Sequence, residues 1–279
     1  MSHIEKYFTS KDNLQLYLQV WETEKTSKAL VCLVHGLGEH SGRYAHVAAA
    51  LNDAGYHLAA FDLRGHGKSQ GQRGYSPSID CFNDDIAGFV IQVSQMYPNL
   101  PCFIYAHSLG GLLGLNFLIS RKPLIKGAII SAPGLRSPLQ EQKFKVLLSK
   151  WGGLLLPRVN IKSGLDPKGL SHDEELIKAY IGDPFVHDNV TFGLARSMMV
   201  GISRVFSRAS EIQIPLLVMH GSEDPLVYPQ GSQELCKLVS GECTLKIWHG
   251  LFHEIHNEPQ KNEVIAAMID WMDSHLSQE

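Results

Sequence analysis

Six consecutive apolar residues, Ala29-Leu30-Val31-Cys32-Leu33-Val34, leave no polar face. A strand of that kind must be buried on both sides, which a sheet covered by helices on each face provides. Short, mostly apolar runs return at Tyr56 to Phe61, from Cys102, at Lys126 to Pro133 and at Ile214 to His220. Helical patterns separate the first four. One runs from Tyr44 to about Ala54 and ends at Gly55. Another covers Ile79 to Tyr97, starting near Asp80 and stopped by Pro98. A third follows at Leu112 to Leu118. This alternation of strand and helix predicts a parallel, helix-covered α/β sheet.

The chain enters that sheet through a different pattern. Residues Ile4 to Trp21 alternate around the polar stretch Ser10-Lys11-Asp12-Asn13, which predicts an antiparallel hairpin. The rhythm also breaks later. From about Gly134 to Ser210 no convincing strand is visible, and helical stretches are expected at Phe144 to Trp151, Asp173 to Tyr180 and Thr191 to Phe206. Residues 134–210 are therefore expected to form a helical cap inserted into a core of 1–133 and 211–279. After Ile214 to His220 come a helix from about Gln230 to Val239, a strand from Thr244 to Trp248, and a last helix from about Lys261 to Leu276.

Composition narrows the class. With 279 residues, 44% hydrophobic and 19% charged, the chain suits one well-buried globular domain with an insertion and not a disordered one. A net charge of −3 offers no basic surface to nucleic acid. The five cysteines, Cys32, Cys81, Cys102, Cys236 and Cys243, are odd in number, and none are spaced C-x-x-C. Reduced, buried thiols in a cytoplasmic setting are the expectation. The N-terminus carries no signal-peptide pattern, and no run is long enough to span a bilayer. Peripheral membrane contact stays open.

The chemistry is read at the strand ends, where open α/β sheets bind ligands. Cys102-Phe103-Ile104-Tyr105-Ala106-His107-Ser108-Leu109-Gly110-Gly111 is a strand that turns into a helix with a serine at the corner. G-x-S-x-G is the usual pattern of a nucleophile elbow, and Ala106 stands where its first glycine would be. His35-Gly36-Leu37-Gly38 follows another buried strand, and the Leu37 N–H is a candidate oxyanion donor. Asp224 and His253 end later strands. The order Ser108, Asp224, His253 is that of a nucleophile, an orienting acid and a base.

Two other motifs are set aside. Gly67-Lys68-Ser69 lacks the earlier glycine of a phosphate loop, since Asp62 occupies that place, so a structural turn is expected. His253-Glu254-Ile255-His256 is one residue short of H-E-x-x-H and lies between Gly250 and Pro259, so no catalytic metal is expected.

These segments together resemble the α/β-hydrolase superfamily, and within it the monoacylglycerol lipase and lysophospholipase group. The likeness is carried by His35-Gly36-Leu37-Gly38-Glu39-His40-Ser41-Gly42-Arg43-Tyr44, by Asp62 to Ser69, by the elbow, by His220 to Asp224 and by Phe252 to Pro259. Leu165-Asp166-Pro167 to Asp183-Pro184 shares it within the insertion. The resemblance implies an α/β-hydrolase fold with a mostly parallel eight-stranded sheet and a helical cap. It implies Ser108 as nucleophile, His253 as base, Asp224 as its partner, and the N–H groups of Leu37 and Leu109 as the oxyanion hole. It also implies that Glu39, Arg43 and His256 lie near the alcohol side of the pocket. The expected reaction is hydrolysis of a monoacylglycerol without a cofactor. A lysophospholipase or broad carboxylesterase is the alternative, and a non-catalytic binder on the same fold is a third reading.

The apolar residues Phe144, Val146, Leu147, Leu148, Trp151, Leu154, Leu155 and Leu156, with Lys143, Lys145 and Lys150, either line an acyl tunnel, touch a lipid surface or pack onto the core. Oligomeric state is not readable from the sequence.

Overall fold

The computed structural model describes residues 2–138 and 151–276. The expected helix at Phe144 to Trp151, and with it Lys143, Lys145 and Lys150, lies outside those residues except for Trp151.

The apolar runs form the centre of one eight-stranded sheet. Its strands are β1 (Ser2–Thr9), β2 (Gln15–Glu22), β3 (Ala29–Val34), β4 (Tyr56–Phe61), β5 (Cys102–His107), β6 (Gly127–Ser131), β9 (Leu216–Gly221) and β10 (Cys243–Trp248). They lie in the order β1-β2-β4-β3-β5-β6-β9-β10. The β1–β2 and β2–β4 pairs are antiparallel, and every later pair is parallel.

The period-2 geometry of a strand sends β3 side chains into two separate cores. Leu30, Cys32 and Val34 meet α2 (Ile79–Met96) and α3 (Leu109–Arg121) on one face. Val31 and Leu33 meet α1 (Ala45–Asp53) and the C-terminal helix on the other. Both layers are closed: Phe82, Phe89, Leu112 and Leu115 are fully buried in the first, and Tyr44, Leu51, Met268 and Met272 in the second. Ser78 caps α2 by accepting the Cys81 N–H, one residue or so before the expected start.

The chain between β6 and β9 holds α4 (Glu174–Gly182), α5 (Phe192–Arg208) and two short strands, β7 (Asn160–Lys162) and β8 (Asn189–Thr191). The β7–β8 pair corrects the expectation that 134–210 lacks strands. Each strand is three residues long, and β7 is exposed, so neither carries the alternation that marks a strand in sequence. After β9 come α6 (Gln230–Leu238) and, following β10, α7 (Lys261–Leu276).

The cysteines also depart from expectation. Cys236 near the end of α6 and Cys243 at the start of β10 form a disulfide, with Cα atoms 5.5 Å apart. The turn from helix to strand brings them together over a separation of 7 residues. Cys32, Cys81 and Cys102 are free thiols. Among the described residues no helix is long and apolar enough to cross a membrane.

Candidate active site

Ser108 sits between β5 and α3 with φ 55° and ψ −118°, a conformation that L-residues rarely hold. Backbone bonds fix it there. The Ser108 N–H donates to Ser131 O at 2.9 Å, and Gly134 N–H donates to Ser108 O at 3.0 Å. Local strain of this kind persists only when its surroundings over-determine it. The result lifts the hydroxyl clear of the sheet at the N-terminus of a 13-residue helix, whose dipole favours negative charge.

Three strand ends converge on this corner. Ser108 Oγ lies 2.8 Å from His253 Nε2, and His253 Nδ1 lies 2.6 Å from Asp224 Oδ2. The carboxylate accepts at Nδ1, so Nδ1 carries the proton and Nε2 is free to accept from the serine. Burial alone would raise the Asp224 carboxyl. The facing His253 and the hydrogen bonds from His220 and His253 outweigh it and hold the group well below the usual carboxylate range. Burial likewise depresses the His253 imidazole, but Asp224 overrides it, with Glu254 and Glu39 adding to the effect, and the balance is a raised pKa. The arrangement is a hydrogen-bonded serine, base and acid suited to activating a hydroxyl.

Four supporting residues were named from sequence only inside longer stretches, with no role of their own. His220 Nε2 faces both Asp224 Oδ2 at 3.0 Å and Val227 O at 2.9 Å, so it donates, while its Nδ1 accepts from Ser232 Oγ at 2.7 Å. Asp224 Oδ1 accepts the Leu226 and Val227 N–H groups, which locks the carboxylate. His35 bridges two loops: its Nε2 accepts the Leu63 N–H at 2.9 Å, so its Nδ1 donates to Gly36 O at 2.8 Å. That fixes the peptide plane whose other end is the Leu37 N–H. His107 packs its ring 4.9 Å from that of His253. Glu254 lines the cavity beside Ser108. His35, His107 and His220 are polar residues at strand ends, and that placement was the available signal; Glu254 lies six residues past β10.

The residues that the resemblance put on the alcohol side are spread over two layers. Glu39 lines the cavity with Gly36, Leu37 and Tyr180. Its Oε1 accepts the Gly36 N–H at 2.6 Å and the Tyr44 hydroxyl at 2.8 Å, and its Oε2 accepts Arg43 at 2.6 Å. Arg43 lies behind, held in a two-pronged pair with Glu254 at 2.7 Å for each bond, under the Tyr180 ring at 4.7 Å. His256 is fully buried, its ring stacked 4.8 Å from Tyr44, and it is not part of the cavity wall. Burial, against the pull of Glu254, drives its pKa down to about 3, so it is neutral. The resemblance groups all three, but of them only Glu39 lines the cavity.

Glu39, His107 and Glu254 bring donor atoms within 4.8 Å of one another, the spacing of a metal site. Arg43 bonds to both carboxylates and supplies the positive charge there. The cavity at Ser108 measures about 60 Å³. A wider depression of about 770 Å³ is lined by Lys28, Pro101 and Lys126, which precede β3, β5 and β6, so it opens at the opposite ends of the strands.

Comparison with known proteins assigns the family. A family model described as Hydrolase_4, serine aminopeptidase, S33, matches residues 25–260. The chain belongs to this α/β-hydrolase family. It is 32% identical over 275 residues to a monoacylglycerol lipase of Mycolicibacterium smegmatis, covering 98% of each chain. An uncharacterised abhydrolase domain-containing protein of Dictyostelium discoideum is 33% identical over 278 residues, which is 99% of this chain but 29% of that protein. Among solved structures, a Paleococcus ferrophilus monoacylglycerol lipase superposes with a TM-score of 0.84 at 35% identity, covering 93% of this chain and 99% of that one. These matches place the α/β-hydrolase in the monoacylglycerol lipase group and make it a serine ester hydrolase.

Proposed function

We propose that the protein hydrolyses the ester of a monoacylglycerol, releasing a fatty acid and glycerol through an acyl-enzyme on Ser108. The observation that carries this reading is the unbroken chain of hydrogen bonds from Ser108 through His253 to Asp224 beside a cavity roofed by the insertion. Similarity to monoacylglycerol lipases supports the substrate class. The wall adds a reason of its own. It carries the Glu39 and Glu254 carboxylates, and Arg43 is already paired with both. Such a wall favours a neutral glycerol headgroup and repels an anionic phosphodiester.

In the first step His253 Nε2 takes the Ser108 proton as Oγ attacks the ester carbonyl. The tetrahedral oxyanion is received by the Leu37 and Leu109 N–H groups, the second at the start of α3. His253 then returns the proton to the glycerol oxygen, the C–O bond breaks, and glycerol leaves. Water deprotonated by the same histidine attacks the acyl-enzyme and frees the fatty acid. Asp224 stabilises the imidazolium in both steps. One well-placed oxyanion donor contributes about 3–4 kcal/mol.

Residues 134–210 act in this reading as a cap on a core formed by 1–133 and 211–279. The cavity of about 60 Å³ is far smaller than the roughly 300–1,000 Å³ of ligand pockets, and in this reading the cap shifts to admit an acyl chain. Trp151, Leu154, Leu155 and Leu156 are exposed on it, which suits transient contact with a lipid surface.

The test is an ester panel on purified protein with Ser108→Ala as control. Monoacylglycerol turnover that exceeds turnover of lysophosphatidylcholine and is lost in the variant supports the reading. Activity only on short esters, or equal labelling of both proteins by a fluorophosphonate, overturns it.

A further inference from the structure

The oxyanion loop is held from two sides. Leu37 lies in a run of four peptide planes, three of which have fixed partners. The Gly36 N–H is held by Glu39, the Gly36 carbonyl by His35, and the Gly38 carbonyl by the His187 N–H at 2.9 Å. The first two partners belong to the sheet domain. The third comes from the segment between β6 and β9.

That segment is built to be laid on the loop. Pro184 ends α4, because the residue before a proline is pushed out of the helical region. Asp183 accordingly has φ −77° and ψ 120°. Its Oδ1 accepts the Phe185 N–H at 2.8 Å, turning the chain, and its Oδ2 is left to face His40 Nε2 at 2.8 Å. The Phe185 ring packs edge-on against His40 at 5.5 Å. Past that turn, His187 donates from Nε2 to Gly65 O at 3.1 Å, while its backbone reaches Gly38. Gly38 has φ 74°, and a Cβ there would run into the His187 carbonyl oxygen. Glycine at 38 thus serves both a left-handed turn and the close approach of the inserted backbone.

We propose that the Asp183–His187 segment is a positioning element of the oxyanion loop, anchored by the Asp183–His40 pair. The inserted segment then shapes the transition-state site as well as covering it. Its displacement loosens the loop that carries the Leu37 N–H, so an open enzyme is also a slower one. The proposal rests on the reading of Leu37 as an oxyanion donor.

The experiment uses the whole protein, p-nitrophenyl butyrate as a small soluble ester, and phenylethylboronic acid as a mimic of the tetrahedral adduct. Asp183→Ala is expected to lower kcat about 10- to 100-fold, less than or comparable to loss of a whole oxyanion donor, with KM changed less than about threefold. Boronate affinity falls by a similar factor. Asp183→Asn keeps the acceptor for the Phe185 N–H but turns an NH2 toward His40 Nε2, which is itself the donor because His40 Nδ1 accepts the Gly42 N–H; it keeps the turn, loses the anchor, and is expected to lower kcat as Asp183→Ala does. His40→Phe is expected to reproduce the kcat loss, and the double variant Asp183→Ala/His40→Phe to be no worse than the more damaged single. Wild-type kcat in Asp183→Ala, or a loss confined to KM with unchanged boronate affinity, overturns the proposal. If Asp183→Ala does not fold, His40→Phe decides between the same two results. Leu37→Pro, which removes the N–H itself, separates the two readings: full activity there means that the oxyanion assignment is wrong, whatever Asp183 does.

Discussion

The methyl group of Ala106 occupies the space that Gly114 leaves open across the turn from β5 to α3. A Cβ built on Gly114 would stand 2.9 Å from the Ala106 Cβ, closer than side-chain carbons approach. The extra methyl at the first position of the elbow motif is therefore matched by a missing one a turn further along the helix, and Ser108 keeps its conformation.

Gly114→Ala is expected to destabilise the fold despite the better helix propensity of alanine. Overpacking costs about 1–3 kcal/mol and the propensity gain returns about 1. Urea denaturation should show the loss, and Ala106→Gly introduced with it should recover most of the difference. A Gly114→Ala protein as stable as the parent would mean that the two carbons do not compete.

Activity should rise with pH along a limb set by His253, since the base works only when neutral. Its pKa is raised, so the limb lies above the ordinary imidazole value of about 6.5. Glu254→Gln removes one of the charges that raise it while preserving the shape of the side chain, and the limb should move to lower pH. A profile of kcat/KM against pH for both proteins checks this; coincident limbs would count against a role for Glu254 in tuning the base.

Stability should fall on mild acidification. His256 titrates at about 3 in the fold and near 6.5 when unfolded, so between those values the unfolded chain binds the extra proton. The contribution is complete above about 6.5 and is lost at about 1.4 kcal/mol per pH unit below it. Buried His66 and His107, also held well below the usual range, act with the same sign. Neither His256 ring nitrogen has a hydrogen-bond partner among the described residues, so His256→Phe should flatten the dependence at small cost. Urea midpoints at pH 7 and pH 5 for the two proteins measure it.

Asp224 and His220 should separate in severity. Asp224→Asn gives His253 the wrong tautomer and is expected to lower kcat by about 10⁴. His220→Gln leaves Asp224 its bonds from Leu226 and Val227 and should lower kcat about tenfold or less. Soluble-ester kinetics distinguish the two, and equal losses would make His220 part of the reacting unit.

The exposed apolar side chains predict a separable effect on lipid. Trp151→Ser with Leu155→Ser should weaken sedimentation with phospholipid vesicles while leaving turnover of p-nitrophenyl butyrate within about twofold. Unchanged sedimentation would assign that patch to another purpose.

The sheet was legible because burial on both faces writes itself into every residue of a strand. Ala29 to Val34 and Cys102 to His107 occupy the places their apolar runs indicate. Ser108 and Asp224 were legible because each follows such a run within three residues, whereas His253 lies five residues past the partly exposed strand β10 and was legible as the last member of the Ser, Asp, His order. What lies within three or four residues of a strand end, or repeats along an element, is set down locally, and sequence by itself determined it here. The rest joins residues that share no sequence pattern, whether four or seven positions apart or far along the chain. His220 is bound to Asp224 by a turn, Arg43 to Glu254 across 211 positions, His40 to Asp183 across 143, and Cys236 to Cys243 by the bend between helix and strand. His256, which the resemblance put near the alcohol side, is buried against Tyr44 and does not line the cavity. A hydrogen bond or an ion pair needs two groups within about 3 Å, and no periodicity along the chain states that distance for such pairs. Only the packed tertiary structure brings them to it.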